Sequence, residues 1–111
     1  MSIEVTDQTF LDAVVERSHQ IPVVVDFWAA WCGPCRALGP VLHKLEDEAD
    51  GSWELATLDV DTNPVVSRGF RIQGIPAVKA FKNGELIAQF NGALPEIHVR
   101  QWLAAFTGPS A

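Results

Sequence analysis

Cys32 and Cys35 are the only cysteines in the 111 residues, and they lie in the stretch Trp31-Cys32-Gly33-Pro34-Cys35. A thiolate, not a thiol, attacks disulfides, and it does so through a mixed-disulfide intermediate. Two cysteines three residues apart on the first turn of a helix fall on one side of it, close enough to bridge in principle. The first of them stands at the helix mouth, beside unpaired backbone N–H groups and the positive end of the helix dipole, which lower a thiol's pKa. Cys32 is therefore the expected attacking thiol, at an exposed mouth, and Cys35 the resolving thiol. Two blander readings compete. A Cys-x-x-Cys pair is often half of a zinc site, but such a site needs four ligands. The remaining candidates, His19, His43 and His98, are scattered without ligand spacing, so no metal is expected. Two inert buried cysteines are the other option; a strand-to-helix junction in a βαβ setting favours the redox motif instead.

The flanking residues supply that junction. Val23-Val24-Val25-Asp26-Phe27-Trp28 is a β-branched and aromatic run expected to form a buried strand opened by Pro22, and Arg36 to Asp50 has helical periodicity. Gly33 lets the backbone turn, and Pro34 suits a first helical turn where its missing N–H costs nothing. Leu38, Val41, Leu42, Leu45 and Ala49 mark the apolar face of that helix. Pro40, next to Gly39, should kink it. Glu46, Asp47, Glu48 and Asp50 are expected as a solvated acidic end, and His43 as exposed surface. Asp26 interrupts an otherwise apolar strand. Either it lies at a sheet edge bonded to backbone amides, or it is a buried proton acceptor beneath the cysteines, with its pKa raised by burial.

The rest of the chain completes an α/β pattern. Ile3 and Val5 alternate as a short strand. Thr6 can cap a helix whose stripe is Phe10, Leu11, Val14 and Val15, ending near Ser18-His19-Gln20, with His19 solvated. Trp53 to Val60 reads as a strand, Asp61-Thr62-Asn63-Pro64 as a turn, and Val65 to Gly69 as a short helix. Ile75-Pro76 between a glycine and a strand is a plausible cis site, against an ordinary trans proline starting an edge strand. Ala77 to Phe81 and Leu86 to Phe90 form a hairpin about Asn83-Gly84. Pro95 to Phe106 is a final amphipathic helix with Ile97, Val99, Leu103 and Phe106 as core contacts and Trp102 beside them or at the rim. The expected architecture is a mixed five-stranded sheet with helices on both faces. Residues 1–107 make one domain, and 108–111 a loose tail or linker stub.

These pieces resemble the thioredoxin family along nearly the whole chain. The resemblance rests on Val25-Asp26-Phe27-Trp28-Ala29, Trp31-Cys32-Gly33-Pro34-Cys35-Arg36, Asp59-Val60-Asp61-Thr62-Asn63-Pro64, Gly74-Ile75-Pro76, Phe81-Lys82-Asn83-Gly84 and Gly92-Ala93. Arg36 to Leu42, Val78 to Phe81 and Phe90 to Glu96 look most like the thioredoxin domain of bacterial thioredoxin–tetratricopeptide co-chaperones. The resemblance implies the thioredoxin fold, with four helices flanking the sheet. It implies reduction of protein disulfides, with no cofactor beyond the Cys32–Cys35 pair. It also implies that Asp26 helps deprotonate Cys35 and that Pro76 is cis. Trp31, Gly33, Pro34, Ile75, Pro76, Gly92 and Ala93 would form the substrate groove. Implied partners are disulfide-containing proteins and a flavin-containing thioredoxin reductase as electron donor, with a chaperonin link in the co-chaperone alternative. That alternative would hold unfolded, oxidised clients.

The chain departs from the family at three positions. Thr57 stands where most members carry a lysine facing the buried aspartate, so Asp26 should lie higher still. Lys79 interrupts an apolar strand, but alternation puts it on the face opposite Val78, so it should snorkel outward and not serve Asp26. Ala77 replaces a threonine, with small expected effect.

Composition narrows the classes. The chain is 48% hydrophobic, enough for a two-layer core in one domain. A formal net charge of −6, from 8 basic and 14 acidic residues, argues against a nucleic-acid surface. The first residues lack the basic and apolar regions of a signal peptide, and no apolar run approaches membrane-spanning length. Two cysteines in one redox motif fit a reducing compartment. The expectation is a cytoplasmic monomer with no membrane contact. An extracytoplasmic oxidase or isomerase is disfavoured.

Overall fold

The computed structural model describes residues 2–107. Five strands form one mixed sheet in the order β1-β3-β2-β4-β5: β1 (Ile3–Glu4), β2 (Val23–Trp28), β3 (Glu54–Asp59), β4 (Ala77–Lys82) and β5 (Glu85–Asn91). β1 and β2 run parallel to β3, whereas β4 is antiparallel to both β2 and β5. Four helical segments complete the thioredoxin fold: α1 (Leu11–Glu16), α2 (Gly33–Ala49), α3 (Pro64–Gly69) and α4 (Glu96–Thr107). α1 is wound wider than an α-helix and tightens into a 3₁₀ turn at Arg17–His19. The proposed tail, 108–111, lies outside the described residues.

Alternation along β2 divides the core. Val23, Val25 and Phe27 pack with Phe10, Val14, Ala56, Leu58 and Phe81 under α1 and α3. Val24 packs on the other face with Leu38, Leu42, Leu45, Leu55, Val78, Val99 and Leu103 under α2 and α4. Asp26 follows Val24 on that second face, and its register partners are Thr57 on β3 and Val78 on β4. α2 runs unbroken through Pro40 and ends at Asp50, which takes a left-handed φ of 51°. The hairpin turn also takes the left-handed region, at Asn83 (φ 55°) and Gly84 (φ 81°), as an Asn-Gly turn requires.

Several expectations are corrected. Leu11 is exposed, because the wide turn of α1 aims Phe10 and Val14 at the sheet and leaves Leu11 outside. Ile97 is 63% exposed, since Val99, Leu103 and Phe106 define the inner face of α4 and Ile97 falls off it. Glu46 is buried, not solvated: its carboxylate accepts a 2.6 Å bond from the backbone N–H of Leu55 and so ties α2 to β3. Of the two places open to Trp102, it takes the packed one: half-buried, it lies edge-on to Phe90 and Phe106. Lys79 is buried on the face away from Asp26. Its Nζ donates to Gln89 Oε1 and lies 6.0 Å from the Phe70 ring centre, and burial lowers its pKa.

Candidate active site

Cys32 is the residue that starts α2, with an extended backbone, and Gly33 and Pro34 form the first helical positions. Cys32 and Cys35 are joined by a disulfide. The backbone N–H of Cys35 donates to Cys32 Sγ at 3.2 Å, so the helix N-terminus directs a donor at the sulfur expected to attack. The expectation of an exposed Cys32 is corrected. Cys32 is 3% exposed and Cys35 7%. Both pack with Ala29 against Trp28, Val60 and Ile75, which cover the bridged sulfurs.

Of the groove residues named from the sequence, Trp31, Gly33, Pro34 and Ala93 are exposed, Ile75 and Gly92 are half-buried and Pro76 is buried. The Ile75–Pro76 bond is cis, and Gly92 N–H donates to Pro76 O at 2.8 Å, which joins the 74–76 loop to the end of β5. Gly92 needs its glycine here, with φ at 85°. A groove of about 350 Å³ runs beside the cysteines, lined by Trp31, Val60, Asp61, Pro64, Ser67, Arg68, Ile72, Gln73 and Ile75. It contains Trp31 and Ile75 but not the other predicted groove residues. The sequence reading missed its α3 wall. It also missed Asp61, whose Oδ2 accepts from Trp31 Nε1 at 2.9 Å and sets the 67%-exposed indole in place. The paired spacing of Trp31 and Asp61 carries no periodic signal; only the β3–α3 turn brings them together.

Asp26 lies behind the cysteines at 4% exposure, and its Oδ1 has no hydrogen-bond partner among the described protein groups. β2 lies inside the sheet between β3 and β4, so Asp26 is not an edge carboxylate. Desolvation pushes its pKa up to about 7. A cavity of about 250 Å³ holds Asp26 and Cys35 together with Trp28, Ala29, Ala30, Arg36, Gly39, His43 and Thr57. Thr57 offers no positive charge to Asp26, and none of the shift is attributable to a neighbouring ion. Among the described residues, no group of three or more His, Cys, Asp or Glu is arranged to hold a metal. Among the described residues, no helix is long and apolar enough to cross a membrane.

A sequence profile described as Thioredoxin matches residues 1–105. A thioredoxin from Chlorobaculum thiosulfatiphilum is 41% identical over 93 residues, covering 84% of each chain. A thioredoxin from Mycobacterium tuberculosis is 44% identical over 92 residues, 83% of this chain and 78% of its own. A bifunctional thioredoxin reductase/thioredoxin from Mycobacterium leprae is 43% identical over 93 residues; the match takes in 84% of this chain but only 20% of that longer protein.

Proposed function

The chain belongs to the thioredoxin family, and from that premise we propose how its residues share the work of a protein disulfide reductase. It is a dithiol–disulfide oxidoreductase whose redox centre is the Cys32–Cys35 pair. In the reduced form, the Cys32 thiolate attacks a client disulfide. One client sulfur leaves with the electron pair and takes up a proton, while the other is held in a Cys32 mixed disulfide. Asp26 then takes the proton of Cys35. The Cys35 thiolate attacks Cys32 Sγ, the Cys32–Cys35 bond forms, and the second client sulfur departs to be protonated. The client gains two electrons and two protons, and the protein is left oxidised.

The observation that carries this reading is the seat of the pair: a disulfide at the start of α2, with a backbone N–H aimed at Cys32 Sγ. The burial of Asp26 in the cavity that Cys35 also lines supports its role as proton acceptor. Trp31 and Ile75, with the cis Pro76 loop, Gly33, Pro34, Gly92 and Ala93 around them, would receive an extended client segment, with Ile75 as backbone partner. A thioredoxin reductase would return the electrons, a pairing supported by the Mycobacterium leprae relative, whose name joins both activities. We place this exchange in the cytoplasm, where a reducing pool keeps the dithiol available. The relatives named above are thioredoxins, and none of them carries the co-chaperone reading.

The direct test is reduction of insulin by dithiothreitol, followed as turbidity. Wild type should precipitate insulin well ahead of dithiothreitol alone, and Cys32→Ser should abolish the acceleration. Equal rates for wild type and the reagent alone would refute a general reductase.

A further inference from the structure

A buried carboxylate that accepts a proton must release it before the next cycle. Resting on the reading of Asp26 as acceptor for Cys35, we propose that this proton leaves through a second opening, framed by Gly39, Thr57 and His43, and not through the client groove. The two openings are separate. The groove beside Trp31 and Ile75 and the cavity at Asp26 share no lining residue, and Asp26 and Cys35 line only the latter. A client seated on Trp31 and Ile75 covers the first opening at the moment when the proton must move. The second stays uncovered.

The walls of the second opening suit proton movement. Cys35, Gly39 and His43 follow one another at intervals of four along α2 and share a face, with His43 ~12 Å beyond Cys35 at ~1.5 Å rise per residue. Gly39 leaves the passage between them clear: a Cβ built there meets nothing within 4 Å. The floor is Thr57, beside Asp26 in register, with a hydroxyl that both donates and accepts. The cavity, about 250 Å³, has ample room for water beside these polar groups. The titratable or charged groups facing Asp26 are Cys35, Arg36 and His43 from α2. β3 contributes only Thr57, and Lys79 of β4 lies on the opposite face. Arg36 donates to Ala30 O at 2.8 Å and has no acceptor atom. His43, exposed at the mouth, is the lining side chain besides Asp26 and Cys35 that can take up and release a proton. The step balances: the proton passes from the Asp26 carboxyl through water to the His43 imidazole and from the imidazolium to buffer, which restores the carboxylate. The departing client thiolate takes its proton from solvent on its own side.

The test is steady-state turnover of the full chain with saturating client disulfide and dithiothreitol as reductant, in weak buffer across pH 6–9, where each cycle needs Asp26 ionised again. Wild type, His43→Gln, Gly39→Leu and Asp26→Asn are compared, with and without added imidazole. His43→Gln should slow turnover several-fold, and imidazole should restore it. Gly39→Leu, with its side chain in the passage, should be slow with no rescue. His43 is exposed, so its variant carries the test even if Gly39→Leu folds poorly. Wild-type rates and no imidazole response in His43→Gln, with Asp26→Asn slow, would overturn the route and leave the Asp26 role standing. Wild-type rates in Asp26→Asn would overturn both.

Discussion

Asp26 shows how burial alone sets a residue's chemistry. Its ordinary pKa of 3.8 rises to about 7 through desolvation, with no charged partner to offset it. A carboxylate whose folded pKa lies above its unfolded value binds more protons folded than unfolded, so stability falls as pH rises between those values, here from about 4 to about 7. At ~1.4 kcal/mol per pKa unit, the cost at neutral pH is on the order of a few kcal/mol. Asp26→Ala removes it. The variant should therefore melt at least ~5 °C above wild type at pH 8, with the gap closing toward pH 4. Thermal melts across that range check this, and an equal or lower melting temperature at pH 8 would refute a strained Asp26. The same variant should reduce disulfides more slowly. Lys79 has no part in this balance, because the sheet separates it from Asp26. Lys79→Met should leave the Asp26 titration unchanged when followed by carboxyl NMR shifts, and a displaced titration would mean the two groups communicate through the sheet.

At the scale of elements, hydrogen bonds between distant segments set the frame around the site. α3 has no side-chain cap from its own preceding residue Asn63. Instead, the Asp7 carboxylate accepts from the N–H groups of Val65 and Val66 at 3.1 and 2.9 Å, while Asn63 Oδ1 accepts from Asp7 N–H. Asp7 thus fixes the helix that walls the groove beside Trp31 and Ile75 with Pro64, Ser67 and Arg68. Replacing Asp7 by Ala should cost ~1–2 kcal/mol, the usual loss of a helix cap, read by urea denaturation. Ser18 does the equivalent for the hairpin: its Oγ accepts from Gly84 N–H at 2.8 Å and its carbonyl from Asn83 N–H. A side chain at Gly84 would be strained by its φ of 81°, and its Cβ, 2.9 Å from the His19 ring, would push that ring aside.

The whole molecule is two apolar layers about one sheet, with the redox pair at the end of β2 where α2 begins. Leu42 is fully buried in the α2–α4 layer, and Leu42→Ala should cost ~2–5 kcal/mol. That loss, read in denaturant, should fall mainly on folding. Ile75 belongs to the groove, so Ile75→Asp should raise KM for insulin with little effect on a small aromatic disulfide. Equal losses on both substrates would mean that Ile75 serves the cysteines themselves and not client docking.

Much of this is legible in the order of the residues. The Cys-x-x-Cys spacing at a strand-to-helix junction, the period-2 and period-3.6 patterns and the Asn-Gly turn are local, so residue order alone encodes them. Sequence alone thus determined the element order, the redox pair, the two out-of-place charges Asp26 and Lys79 and the opposite faces they take. What depends on segments distant in the chain was not legible. The burial of Glu46 against Leu55, the bond from Trp31 to Asp61, the Asp7 cap on α3 and the sharing of one cavity by Asp26, Gly39, His43 and Thr57 exist only once segments far apart in the chain have packed. Periodicity records which face a residue takes; which groups meet across that face is decided by the order of the strands and the seating of the helices upon them.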